Sequence, residues 1–201
     1  MSSNDPLASP DLTSLIGSRI CHDLISPVGA IGNGLELLSM AGSGGPEVAL
    51  ISDSVSNANA RIRFFRIAFG MASSEQGTPR SEILSILRDI YGETRIKLDW
   101  AVNVDCRRAE AKAAFLTLLC LENALPYGGE IVVTRSDGRW QFTAISPKLK
   151  YDEALWAVST SSAPFELSPK NVQFALLPEA LARLGRRLAL TQTQGTLALT
   201  Y

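Results

Sequence analysis

The sequence predicts an α+β protein: an N-terminal antiparallel helical hairpin that pairs with a second copy as a four-helix bundle, then an α/β two-layer sandwich. The observations behind this are the order of the patterns. Two long runs with apolar residues at three-and-four spacing come first, a polar segment with Gly77 and Pro79 follows, and the rest alternates helical runs with short strand-like ones.

Residues 1–10 are polar and carry Pro6 and Pro10, which reads as a flexible leader, and Asp11 or Thr13 is placed to cap a helix. From Leu12 to Met40, Ile16, Ile20, Leu24, Ile31, Leu35 and Leu38 share one face of a helix roughly 43 Å long. The stretch AGSGGPE, residues 41 to 47, stops that helix and restarts another. The second helix, Pro46 to Ala72, carries Val48, Ile51, Val55, Ala58, Ile62, Phe65 and Phe69. Two stripes this wide leave apolar surface in water unless two hairpins pair, so residues 11–72 are expected to form a homodimer. The segment 73–80, SSEQGTPR, reads as a linker.

Residues 81–201 then give a helix (Ser81 to Tyr91), an alternating run RIKLDWAV, a helix (Arg108 to about Leu125) and two strands, EIVVTR and RWQFTAIS, split by the turn SDG. A short helical run (Asp152 to Val158), a longer one (Val172 to Leu184) and two closing strands, RRLALTQ and TLALTY, complete the pattern. Helices layered over one sheet with antiparallel hairpins are expected.

Composition narrows the function. Lys plus Arg number 19 against 20 Asp plus Glu, so no strong field points to nucleic acid or a membrane. Cys21, Cys106 and Cys120 lack C-x-x-C spacing and are expected to be reduced packing residues in helical, partly apolar contexts of a cytosolic protein. The N-terminus has neither a basic start nor an apolar run, and no stretch approaches the ~18 apolar residues of a membrane span, so a cytoplasmic location is expected. No His/Cys cluster has metal-ligand spacing, and a single histidine without a G-x-S-x-G elbow argues against a hydrolase triad.

That single histidine, His22, lies in SRICHDLISPVGAIGNGLELL, residues 18–38. At about 100° per residue it sits opposite the apolar stripe, on a face shared with Ser26, Gly29, Asn33 and Glu36. Small residues there leave room for another molecule to approach. Pro27 lies inside the helix and removes the amide that would bond the Asp23 carbonyl, which predicts a kink rather than an end because the stripe continues to Leu38. An imidazole nucleophile needs one nitrogen with its lone pair free, and Asp23 is placed to hold the proton on the other.

HDLISPVGAIGNGLELL resembles the histidine box of the dimerisation and phosphotransfer domain of two-component sensor kinases, where an acidic residue follows the phospho-accepting histidine. LLCLENALPYGGEIVV, residues 118–133, is similar to the asparagine box of their GHKL-like ATP-binding domain, with Asn123 at the position that helps hold the metal of ATP-Mg. The last 28 or so residues are similar to that domain's closing helix and strand pair. Two departures stand out. Neither an Asp-x-Gly-x-Gly segment for adenine nor a glycine-rich loop for the phosphates is present: PKLKYDEA and SPKNVQFALLPEA stand in their places. Pro126 and Leu119 replace further residues of the asparagine box, so ATP use is not expected and Asn123 reads as a relic that braces its helix.

A kinase-like body that keeps the histidine without the ATP loops resembles the ChpT-type histidine phosphotransferases. The resemblance implies a homodimeric phosphorelay intermediate in which His22, supported by Asp23, takes a phosphoryl group from the receiver aspartate of a CckA-type hybrid kinase. It would pass the group to CtrA- or CpdR-type response regulators, with Mg2+ held by the receiver and no cofactor on the chain itself. Ser26 stands where related kinases carry a polar residue implicated in dephosphorylation. Receiver docking is expected on Ser26, Gly29 and Asn33, with Arg19, Arg61 and Arg63 as candidate contacts. Two other readings are an ATP-using kinase of unconventional site and a non-catalytic receiver-docking pseudokinase.

Overall fold

A computed structural model of the chain describes residues 11–41, 46–72, 76–161 and 165–201. The expected leader, most of the glycine-rich hairpin loop and the first linker residues lie outside these. Helices α1 (Leu12–Ala41) and α2 (Pro46–Ala68) pack along each other. The strand β1 (Gly77–Thr78), helix α3 (Arg80–Tyr91), strands β2 (Ile96–Trp100) and β3 (Cys106–Arg107), and helix α4 (Arg108–Ala124) follow. The chain continues through β4 (Gly129–Ser136), β5 (Arg139–Ile145), α5 (Glu153–Ser161), a 3-10 turn (Pro169–Asn171), α6 (Gln173–Arg183), β6 (Ala189–Thr193) and β7 (Thr196–Thr200).

The main sheet has the order β2-β4-β5-β7-β6. Its hairpins are antiparallel, as the turn signals required, but β2 and β4 are parallel, with Leu98 beside Ile131. A parallel neighbour needs a crossover, and α4 supplies it. Alternation sorts the two faces: Trp140, Phe142 and Ala144 of β5 are buried while Arg139, Gln141 and Ile145 are exposed. The buried face lies under the helices, giving two layers. Residues of α4 are buried almost all round, as expected for a helix wedged between the sheet, α6 and α2.

Two boundaries differ from the sequence expectation. Helix α2 ends at Ala68 and not at Ala72: Phe69 N still donates to the Phe65 carbonyl at 2.8 Å, but the Arg66 carbonyl accepts from Arg108 Nη2 of α4 at 2.7 Å. The segment read as linker holds β1, which pairs antiparallel with β3, and Arg108 N donates to the Gln76 carbonyl at 2.6 Å. A two-residue pairing carries no periodic signal, so sequence shows only its polar composition. Of the cysteines, Cys106 lies in β3 rather than in a helix, and Cys21 is exposed rather than packed, because its place just before His22 turns it towards solvent.

The hairpin is seated on the α/β unit through α2. Phe64 packs on Phe115 with ring centroids 4.7 Å apart, and Phe65, Ile67 and Ala68 join the same core. Around them Lys112 Nζ donates to the Gly70 carbonyl at 2.8 Å and Arg63 Nη1 to Asp89 at 2.9 Å. Arg66 Nη2 donates to Glu82 at 3.1 Å. Cations from α4 therefore sit at the carbonyl end of α2, where its dipole favours them. Phe64→Ala should lower stability by roughly 3–5 kcal/mol through the cavity left against Phe115, measured by denaturant unfolding.

Candidate phosphotransfer site

Helix α1 starts where Asp11 Oδ1 accepts from Thr13 N at 3.0 Å and Ser14 N at 3.3 Å; the Ser14 hydroxyl, donating to the other oxygen, holds the Asp11 carboxyl below its usual range. The helix then runs unbroken past Pro27, so the Asp23 carbonyl has no amide four residues on. His22 lies about three turns into this helix with its side chain 58 % exposed. Its Nδ1 is 3.1 Å from Oδ1 of Asp23, whose own side chain is only 11 % exposed. A carboxylate facing Nδ1 favours the tautomer with the proton on that nitrogen, the one that leaves the Nε2 lone pair free.

Beneath the imidazole lies a polar cluster that joins the hairpin to the α/β unit. Arg19 Nε donates to Asp23 Oδ2 at 2.8 Å, and Arg61 Nη1 stands 3.9 Å from the same oxygen. Glu122, near the end of α4, accepts from the Tyr91 hydroxyl at 2.6 Å. Burial raises the Glu122 carboxyl above its usual range, against the lowering effects of the Tyr91 bond and of Arg19 and Arg61. Burial, and then Glu122, push the Tyr91 phenol well up. Arg19, Asp23, Arg61, Phe64 and Glu122 line one small cleft between the units.

The structure sorts the residues singled out in the sequence. Ser26, Gly29 and Asn33 lie exposed on one face with His22, and a Cβ added to Gly29 would meet nothing within 4 Å. Arg19 is not on the open surface: at 12 % exposure it is bonded to Asp23 and, through Nη1, to the Lys170 carbonyl at 2.7 Å. Arg63 is tied to Asp89 and Ser85, which leaves Arg61, beside Asp23, as the more open of that pair's two guanidinium groups towards His22. Asn123 turns its amide back onto the Leu119 carbonyl of its own helix at 3.2 Å. Sequence reasoning missed Tyr91, Glu122 and Gln173. Glu122, beside Asn123 in the asparagine box, was the one with a local cue. Among the described residues no three His, Cys, Asp or Glu side chains gather as a metal site, and no helix is long and apolar enough to cross a membrane.

An exposed helical imidazole held by a carboxylate, on a hairpin seated against a mixed α/β layer, is the arrangement of a histidine phosphotransferase. The chain belongs to that family: residues 80–196 match the family model described as histidine phosphotransferase C-terminal domain. It is 34% identical over 166 residues, 80% of this chain and 79% of the relative, to protein phosphotransferase ChpT of Brucella abortus (strain 2308). The solved structure of a bacterial phosphotransferase superposes with a TM-score of 0.79 at 30% identity, covering 96% of this chain and 97% of that one. The protein is therefore a phosphotransferase of the ChpT type that acts in two-component signalling.

The raised Glu122 carboxyl gives a signed expectation. A group whose folded pKa is raised contributes fully below its unfolded value, about 4.3 for Glu, and that contribution is lost as pH rises through the folded value. Glu122→Gln keeps an acceptor for Tyr91 and removes the loss. Its unfolding midpoint should exceed wild type at pH 8, with the gap closing towards pH 4.

Proposed function

We propose that His22 relays a phosphoryl group between receiver aspartates without ATP. The observation that carries this is the exposed imidazole whose Nδ1 faces Asp23 Oδ1 at 3.1 Å, with no hydrogen bond to Nε2 among the described residues. In the first transfer the Nε2 lone pair attacks phosphorus of an aspartyl phosphate on a receiver. A P–N bond forms, the acyl P–O bond breaks, and the receiver aspartate leaves as a carboxylate. The imidazole, still protonated at Nδ1, becomes cationic, and Asp23 offsets that charge. In the second transfer a carboxylate oxygen of another receiver attacks the same phosphorus, the P–N bond breaks, and the neutral imidazole is restored. The divalent cation of such transfers is held by the receiver.

The donor would be the receiver of a CckA-type hybrid kinase and the acceptors CtrA- or CpdR-type regulators, docking on the face of Ser26, Gly29 and Asn33. The open Gly29 surface supports close approach there. Ser26, one turn beyond His22, stands where it could orient a water for dephosphorylation. Homodimerisation through α1 and α2 is supported by how the stripe residues divide: Ala58 and Phe65 are buried on the body, while Leu35, Val48, Val55 and Ile62 stay exposed on the single chain. A second hairpin would cover them. The α/β unit reads as a GHKL-like layer that has lost nucleotide. The self-bonded Asn123 and the glycine-free start of α6 support that reading.

Label should pass from a phosphorylated receiver to the wild-type chain in an acid-labile, base-stable form, and His22→Gln should take none while keeping the mass of the wild-type dimer in light scattering. A monodisperse monomer at micromolar concentration would count against the dimer. Calorimetric titration with ATP-Mg should give no binding; binding with autophosphorylation would replace the relay by a kinase.

A further inference from the structure

The two oxygens of Asp23 have different partners: Oδ1 faces His22 Nδ1 at 3.1 Å, and Oδ2 accepts from Arg19 Nε at 2.8 Å. The same guanidinium reaches out of the hairpin, where its Nη1 donates at 2.7 Å to the main-chain carbonyl of Lys170, 151 positions away. A guanidinium is a rigid planar fork, so anchoring one end on a carbonyl fixes the direction in which the other donates.

The Lys170 carbonyl is itself held. It lies in the 3-10 turn, closed by Ser168 N donating to Asn171 Oδ1 at 2.7 Å. From the inside, Gln173 Nε2 donates to this carbonyl at 3.1 Å and to the Leu119 carbonyl of α4 at 3.4 Å. Gln173 is fully buried, and its Oε1 finds no donor. A leucine of similar size would fill the space without an orphaned oxygen, so packing gives no reason for an amide here. Its two donated bonds do.

We propose that the α/β unit serves as the positioning frame of the phosphotransfer site, with Gln173 and Arg19 as positioning residues: Gln173 sets the Lys170 carbonyl, the carbonyl sets Arg19, Arg19 sets Asp23, and Asp23 keeps the His22 proton on Nδ1. Arg61, 3.9 Å from Asp23, supplies charge without a directed bond and does not replace Arg19. This rests on the proposed relay through Nε2, and it gives a body without ATP loops a task in the transfer.

Because His22 is the one histidine of the chain, histidine-selective 15N labelling reports a single imidazole. At about pH 9, well above the ordinary imidazole range, the wild-type spectrum should show the Nδ1–H tautomer. Arg19→Lys, which keeps the charge and loses the fork, and Gln173→Leu should both shift the signals towards the Nε2–H form. Arg19→Lys should also slow transfer from a phosphorylated receiver at least about tenfold. Lys170→Ala keeps the carbonyl and should match wild type. Circular dichroism checks folding, and if Gln173→Leu fails to fold, Arg19→Lys decides alone. An Nε2–H tautomer in wild type, or a tautomer unmoved by Arg19→Lys, overturns the positioning chain. A tautomer that shifts in a protein whose wild type accepts no phosphoryl group from any receiver upholds the chain and refutes the relay.

Discussion

The carboxylate of Asp23 is shared between an exposed imidazole and an almost covered guanidinium, and the proposed site rests on that sharing. A carboxylate facing only His22 would be free to rotate about its own bonds and would hold the imidazole loosely. Tied at Oδ2, it has one direction left for Oδ1. Burial helps, since a hydrogen bond between charged groups is stronger where water competes less, and Asp23 is far less exposed than the histidine it holds. The exposed group is thus oriented from its covered side, which leaves its other nitrogen accessible.

This arrangement needs the hairpin to sit on the α/β unit at a fixed place. An isolated hairpin would keep Arg19, Asp23 and Arg61 but lack the Lys170 carbonyl on which the Arg19 guanidinium is anchored. Packing of Phe64 on Phe115 supplies the adhesion, and the cations around it supply the register. Arg108 and Lys112 take carbonyls at the end of α2 that no helical amide reaches, so α2 stops where α4 meets it. The remaining bonds, Arg63 to Asp89 and Arg66 to Glu82, run from α2 to α3. Individually each exposed pair contributes little to stability, but together they leave few ways to dock the two layers.

The ion cluster of α4 shows the same division between energy and placement. Glu110 is buried with Arg107, Arg135 and Arg186 at 3.5, 2.9 and 3.6 Å, joining the start of the helix to β4 and to the segment before β6. Replacing such a group with apolar side chains is often neutral for stability. Its effect here is to fix where α4 begins, and so where Leu119, Glu122 and Asn123 fall at its other end.

Periodicity and punctuation made most of the architecture legible. The apolar spacing of Ile16 to Leu38 gives α1, the SDG turn gives the β4–β5 hairpin, and His22 beside Asp23 opposite an apolar stripe marks the candidate face, because these are local properties of the chain. The parallel pairing of β2 with β4, the two-residue strand β1 and the early end of α2 were not legible, since each depends on a segment distant in sequence. The same limit applies to the site. Sequence placed Arg19 near His22 as a candidate for a partner protein; tertiary structure turned it inward, onto Asp23 and the Lys170 carbonyl. A main-chain carbonyl has no side-chain signature, and a buried glutamine such as Gln173 looks the same in sequence as a solvated one. The amino-acid order therefore set the candidate His22 beside Asp23, while only folding decided what anchors Arg19 behind Asp23, because that anchor is a main-chain carbonyl some 150 positions away.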